Sequence, residues 1–242
     1  MRSRAVPFGT SSPYTMRFNA MASATSPLSI DIVSDVVCPW CYVGKRRLEA
    51  ALARRASDDA NPVQVRWLAF QLNPDIPAGG VDRRSYLEQK FGGPEHAKQI
   101  YARIKAAGDE VGIQFDFDRI ARQPNTVDAH RLIAWAQDLD LSAADALIER
   151  LFRAYFVDGI NIGDIDALAG IAGDAGFDAT AARAWLASDA GRTAIEAEER
   201  RARALGVTGV PFFVFNQRLA VSGAQPPEVL LEAIEQAETA VS

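Results

Sequence analysis

The stretch 28-LSIDIVSDVVCPWCYVGKRRLEA-50 decides the fold. Leu28 to Val37 begins by alternating apolar and polar residues and is rich in β-branched side chains, the pattern of a buried strand that ends just before Cys38. Pro39 then suits the first position of a helix, where an N–H would lack a partner anyway, and Leu48, Ala51 and Leu52 continue an apolar face until about Ser57. A strand thus delivers two cysteines, separated by two residues, to the start of a helix. They are the only cysteines among 242 residues, which excludes a disulfide-rich secreted scaffold.

Working outward, Pro62 to Phe70 is a second strand with Val63, Val65, Trp67 and Ala69 on one face, followed by a Pro/Gly-rich connector over Asn73 to Gly80. From Asp82 to about Ala190 the only strand expected is the short Ile113 to Phe117. Helical spacing of apolar residues marks Ser85–Phe91, Pro94–Val111, Thr126–Leu139, Ala143–Val157, Ile165–Ala175 and Thr180–Ala187. Ser142, Asn125 and Asp178 read as start signals for three of these. The charged run from Arg192 to Leu205 reads as a solvated helix with internal ion pairs. Strand grammar then returns in Phe212–Phe215 and Leu219–Ser222, joined as a hairpin through Asn216 to Arg218, before a last helix opened by Pro226 and Pro227. Strand, helix and strand precede the helical block; helix, two strands and a helix follow it. The expectation is an α/β fold, one sheet split in sequence by an all-helical insertion. Residues 28–80 and 192–242 would form the sheet domain, 81–191 the insertion, and 1–27 a disordered leader. That leader lacks acidic residues and an apolar run; its arginines also permit a transit peptide, and Met16 and Met21 allow a later start.

Composition narrows the function. With 26 Lys+Arg against 31 Asp+Glu the net charge is −5, and without a basic tract neither nucleic acid nor an anionic membrane is expected as a partner. No stretch approaches the roughly 20 apolar residues of a spanning helix. The histidines His96 and His130 are too few and scattered for a metal cluster.

Two thiols at a helix start lie on one side of the first turn, close enough to bridge. Unpaired N–H groups and about half a positive charge favour a thiolate there, most directly on Cys38, with Cys41 the less accessible, resolving partner. A merely structural bridge closing so short a loop would contribute only about 2 kcal/mol. A zinc half-site would need further ligands, and no second Cys-x-x-Cys or histidine pair exists. Asp35 could accept a proton from Cys41 if buried, although a loop carboxylate is the plainer account. Lys45, Arg46 and Arg47 could add positive potential near the thiolate.

Three separated blocks now agree in order and spacing: Asp35-Val-Val-Cys38-Pro-Trp-Cys41-Tyr-Val-Gly-Lys-Arg-Arg-Leu48, Pro124-Asn-Thr-Val-Asp-Ala-His130-Arg-Leu132, and Gly206-Val-Thr-Gly-Val-Pro211-Phe-Phe-Val214 with Val221-Ser-Gly-Ala-Gln-Pro-Pro227. In them the sequence resembles the DsbA-like thioredoxin-fold oxidoreductases, specifically their FrnE branch of dithiol–disulfide isomerases, from about Leu28 to Ala237. The resemblance implies a thioredoxin-like fold with a large all-helical insertion, and disulfide exchange through Cys38 and Cys41. It implies a cis peptide before Pro211, with the Val210 backbone turned to the cysteines, and places Pro39, Trp40, Val210, Pro211, Asn125 and His130 at the substrate. Asn125 also reads as a helix cap, His130 equally as a surface residue, and Trp40 equally as a packing residue.

Better-known relatives carry a histidine where this chain has Trp40. An indole offers bulk and one N–H donor instead of a cation, so a less oxidising couple is expected. With no secretory signal, a cytoplasmic reductase or isomerase is expected. No bound cofactor is implied; the partners would be a protein or small-molecule disulfide, with glutathione as co-substrate or a thioredoxin-type protein for recycling. Two rivals stand beside this: a glutathione-dependent isomerase or transferase of the hydroxychromene-carboxylate isomerase or kappa type, and a polypeptide-binding chaperone. The second cysteine counts against the former.

Overall fold

Backbone pairing builds the molecule around one strand. A computed structural model describes residues 27–55 and 62–239; the expected leader, save its last residue, lies outside them. In chain order the strands are β1 (Leu28–Ser34), β2 (Val63–Ala69), β3 (Val81–Asp82), β4 (Arg122–Gln123), β5 (Phe212–Phe215) and β6 (Leu219–Ser222). The helices are α1 (Pro39–Arg54), α2 (Arg83–Phe91), α3 (Pro94–Glu110), α4 (Val127–Leu139), α5 (Leu141–Phe156), α6 (Ile165–Asp174), α7 (Ala179–Ala187), α8 (Arg192–Ala204) and α9 (Pro227–Thr239). The main sheet has the order β2-β1-β5-β6. β1 runs parallel to β2, with α1 as the crossover, and antiparallel to β5, which forms the hairpin with β6.

Alternation along β1 sorts its side chains to two faces. Ile30 and Ile32 join Phe213, Phe215 and the α1 and α9 residues Val43, Leu48, Leu230 and Ile234 in the main core. On the other face Val33 and Phe70 meet Ala202 of α8 and Val207. The main core continues without a break into the helical segment, where α5 buries Leu147, Ile148, Leu151, Phe152, Tyr155 and Phe156 completely. Tyr42 of α1 stacks on Phe152 at 5.0 Å between ring centroids, joining the two regions.

Local chemistry corrects several sequence expectations. β1 ends at Ser34 instead of Val37, because a turn closes there: the Cys38 N–H donates to the Asp35 carbonyl at 2.9 Å. Ile113 to Phe117 is not a strand. Its apolar residues are core anchors and its backbone bonds run to helices, Ile113 N–H to Gly108 O and Asp116 N–H to Phe156 O. The two-residue ladder β3–β4 is too short to leave a periodic signal. Asp140, not Ser142, caps α5 through the N–H groups of Ser142 and Ala143, whereas Asp178 caps α7 as expected.

The charged face of α8 is not wholly solvated. Arg203 and Glu199 pair within the helix, but Glu199 is buried and Arg203 also reaches the Gln71 carbonyl. Glu198 accepts from the Ala69 N–H at 2.6 Å, while the Gln137 amide of α4 pairs with both N–H and C=O of Trp67. Two helices thereby satisfy the outer edge of β2 at Trp67 and Ala69.

Arg131 of α4, fully buried, ends α7. It donates to the carbonyls of Trp185, Leu186, Ser188 and Ala190 and pairs with Asp128 at 2.7 Å. Lysine cannot reach that many acceptors with one ammonium. Arg131→Lys is therefore expected to lower unfolding free energy by about 2–4 kcal/mol in denaturant titrations, since buried acceptors lose partners. An unchanged midpoint would contradict this assignment.

Candidate active site

The ladder that ends β1 sets out the site. Cys38 occupies the N-cap of α1 with extended backbone, Pro39 follows inside the helix, and the Cys41 N–H donates to the Cys38 carbonyl at 3.0 Å. Because Val33 pairs with Phe212, Pro211 enters beside the end of β1. The Val210–Pro211 peptide is cis, and the Cys38 Sγ–H donates to the Val210 carbonyl at 3.5 Å. Gly44 lets α1 settle against this loop. A Cβ there would stand 2.9 Å from Pro211 Cγ and 3.2 Å from Phe213 Cζ.

Both cysteines are free thiols. Cys38 retains 4% exposure and Cys41 none, so Cys38 is more covered than a first nucleophile was expected to be. Trp40, 37% exposed, presents its indole to solvent beside the pair, while Pro39 and Pro211 are buried and Val210 is half-buried. Burial, then the neighbouring Cys38 sulfur, push the Cys41 thiol well above its ordinary range; the Ser34 hydroxyl and Asp35 backbone N–H oppose them without prevailing.

Asp35 is buried, not a surface loop carboxylate. Its Oδ2 accepts from the Leu72 N–H at 2.8 Å and its Oδ1 from the Val37 N–H at 3.4 Å, so it ties the turn before Cys38 to the chain after β2. His130, in the first turn of α4, is buried rather than exposed, with Nε2 3.6 Å from Asp35 Oδ1. Asn125 lies at the entry to α4 with both ends of its amide engaged, Nδ2 donating to the Ile76 carbonyl and Oδ1 accepting from the Val127 N–H. It therefore holds the loop one residue before the N-cap of α4, which is Thr126 and makes no side-chain capping bond.

The expected help from Lys45, Arg46 and Arg47 is not found, because helix geometry turns these cations to carboxylates. Lys45, nearly fully buried, pairs with Glu49, Asp145 and Glu149; Arg46 pairs with Glu49 and Glu149; Arg47 bonds Glu110 and the Ala224 carbonyl. Burial alone would lower the Lys45 ammonium, but Asp145 and Glu49 outweigh it. These residues tie α1 to α5.

Instead α2 brings polar groups to the cysteines. Lys90 donates to Asn73 Oδ1 and Tyr86 Oη, each at 2.9 Å. Burial lowers Lys90, against the pull of the Asp35 and Cys38 charges. Burial, with the Asp35 carboxylate second, pushes the Tyr86 phenol up to about 12. Sequence reasoning did not find these two residues, which sit in a helix without a motif and approach the site only through the tertiary fold. No group of three or more His, Cys, Asp or Glu among the described residues is arranged to hold a metal. No helix there is long and apolar enough to cross a membrane.

Comparison with known proteins agrees with this construction. Residues 29–235 match the model of the DSBA-like thioredoxin domain. The crystal structure of a probable DsbA oxidoreductase from Streptomyces coelicolor is similar with a TM-score of 0.77 and 35% identity, covering 87% of this chain and 89% of that one. Protein YwbO of Bacillus subtilis is 27% identical over 209 residues, 85% of this chain and 94% of its own. The fold is shared with the cytosolic disulfide reductase DsbM of Pseudomonas aeruginosa, whose structure was determined with GSH: TM-score 0.59, 19% identity, 86% and 98% coverage. The sheet order, the helix opened by Cys38 and the family match together place this chain in the DSBA-like thioredoxin domain family.

Proposed function

We propose that the chain is a dithiol–disulfide oxidoreductase of the FrnE type that exchanges disulfides through Cys38 and Cys41. The observation that carries this is the stacking of the two thiols in depth at one helix start: Cys38 at the N-cap against Val210, Cys41 sealed behind it. In the reducing direction the Cys38 thiolate attacks one sulfur of a substrate disulfide, breaking the substrate S–S bond and releasing one substrate thiolate, which takes up a proton. Cys41 then gives up its proton and attacks the Cys38 sulfur, forming the Cys38–Cys41 disulfide and releasing the second thiol. Two electrons pass from the enzyme dithiol to the substrate. An isomerase would return the bond to a different substrate thiol.

Substrate must displace the cover over Cys38, and Trp40 supplies an exposed aromatic platform for it. The Val210–Pro211 loop lies where an extended substrate segment would pair. Glutathione, found with DsbM, is the thiol we assign to recycling the pair, in a reducing cytoplasm. A transferase that activates a single thiol has no use for a second, buried cysteine behind the first, and this disfavours that reading.

Cys38→Ser is expected to abolish reduction of a model protein disulfide, and Cys41→Ser to accumulate a mixed disulfide visible by non-reducing mass spectrometry. Full activity of Cys38→Ser would overturn the proposal. Equilibration with glutathione should place the couple nearer the cytosolic glutathione poise than the strong oxidants, and Trp40→His should shift it towards oxidation by lending a cation to the thiolate. A strongly oxidising wild-type potential would contradict the reducing assignment.

A further inference from the structure

Among the described residues two arginines are buried, Arg131 and Arg83, and they are satisfied very unequally. Arg131 donates to four carbonyls and pairs with Asp128. Arg83, the first residue of α2 and 5% exposed, has only neutral company. Its Nη2 donates to the Tyr101 hydroxyl at 3.1 Å, with the Tyr155 hydroxyl close by, and its Nε is sealed from solvent without any partner. No carboxylate among the described residues pairs with it. Its charge stands over the rings of Tyr101 and Phe117, 5.0 and 5.8 Å from their centroids. Those rings ease the burial of the charge but leave N–H groups of the guanidinium unbonded. A buried cation in this condition is destabilising until an anion meets it, and the planar fork of a guanidinium fits a carboxylate.

Space for such an anion adjoins the side chain. A hollow of about 540 Å³ lies between α2, α3 and the segment from Phe115 to Asp118, with Arg83, Leu87, Ala97, Tyr101, Phe115 and Phe117 among its walls. Its volume is that of a small-molecule site. The charged groups around it are mixed: Lys98 and Lys105 stand with Asp116 and Asp118, and Lys105 is already held by Asp109. Two carboxylates beside the hollow disfavour a doubly charged phosphate. Aromatic walls favour an apolar body behind a single negative charge.

We propose that this hollow binds a small apolar carboxylate, of the aryl or arylalkyl class, with its charge on the unbonded N–H groups of Arg83 and its body against Tyr101, Phe115 and Phe117. The site is separate from the thiols, because neither cysteine, nor Trp40, nor the Val210–Pro211 loop lines it. It therefore does not rest on the exchange reaction proposed above.

Calorimetric titration of the full chain with 3-phenylpropionate tests this, with 3-phenylpropionamide, inorganic phosphate and an N-acetylated peptide ending in Phe as the other arms. The acid should bind more tightly than each of these by about tenfold or more. Arg83→Met should weaken the acid by about the same factor while keeping or raising the thermal midpoint, since it removes a buried charge that nothing in the chain balances. Should that variant not fold, Ala102→Trp decides the matter. Ala102 is an exposed residue of α3 that lines the hollow, so a bulky side chain there should block the acid with Arg83 still in place. Cys38→Ser should bind the acid as the wild-type chain does. No binding at millimolar acid, equal binding of acid and amide, or binding undiminished in Arg83→Met or Ala102→Trp would overturn the site. Tighter binding of phosphate or of the peptide would overturn the ligand class, and loss of the acid in Cys38→Ser would move it to the thiols.

Discussion

The pairing of β1 with neighbours on both sides is the constraint on which the rest depends. Its register with β5, Val33 opposite Phe212, brings the Val210 carbonyl to Cys38 although 172 residues separate them in sequence. The register with β2, Ser34 opposite Ala69, fixes where the chain turns towards α1 and puts Leu72 within reach of Asp35. Slipping either ladder by one residue would turn Ile30 and Ile32 out of the core and carry the turn away from the proline loop. The long helical segment between β2 and β5 is tolerated because loop-closure entropy rises slowly, by about 0.6 kcal/mol per doubling of length.

Packing makes the cysteine-bearing helix answer to the inserted helices as well as to the sheet. Tyr42 lies one residue beyond Cys41 and stacks on Phe152, while its hydroxyl donates to Glu149 at 2.6 Å. Lys45, one turn later, is held by carboxylates from both α1 and α5. Such a nearly buried ammonium is tolerable only because its partners are in place, so α1 and α5 hold their mutual position tightly. The first turn of α1 thus owes its position to contacts made farther along the same helix.

Much of the fold was legible because its signals are local. The strand-to-helix junction at Cys38, proline at the first helical position, and the strand pair after Pro211 each depend on neighbouring residues and were read from them. The family resemblance added the cis peptide before Pro211, which pattern alone would not have supplied. What escaped depends on contacts distant in sequence. Lys45 to Arg47 look like a cationic field beside a thiolate until α5 presents Glu149 and Asp145. His130 resembles a surface or cleft residue until α4 lays it against Asp35. Glu198 belongs to a run that reads as solvated, yet it points to a strand edge. Lys90 and Tyr86 carry no motif; only the packing of α2 sets Lys90 in the field of Cys38 and Tyr86 in that of Asp35.

The Gln137 and Glu198 contacts along β2 have a consequence beyond the monomer. A strand from another chain seeking to lengthen the sheet at this border meets backbone groups at Trp67 and Ala69 that are already satisfied. The sheet is asymmetric in its openness to such growth, because β6 forms its opposite border and is only four residues long. Recruitment of a foreign segment along Trp67 to Ala69 would therefore await the detachment of α4 and α8.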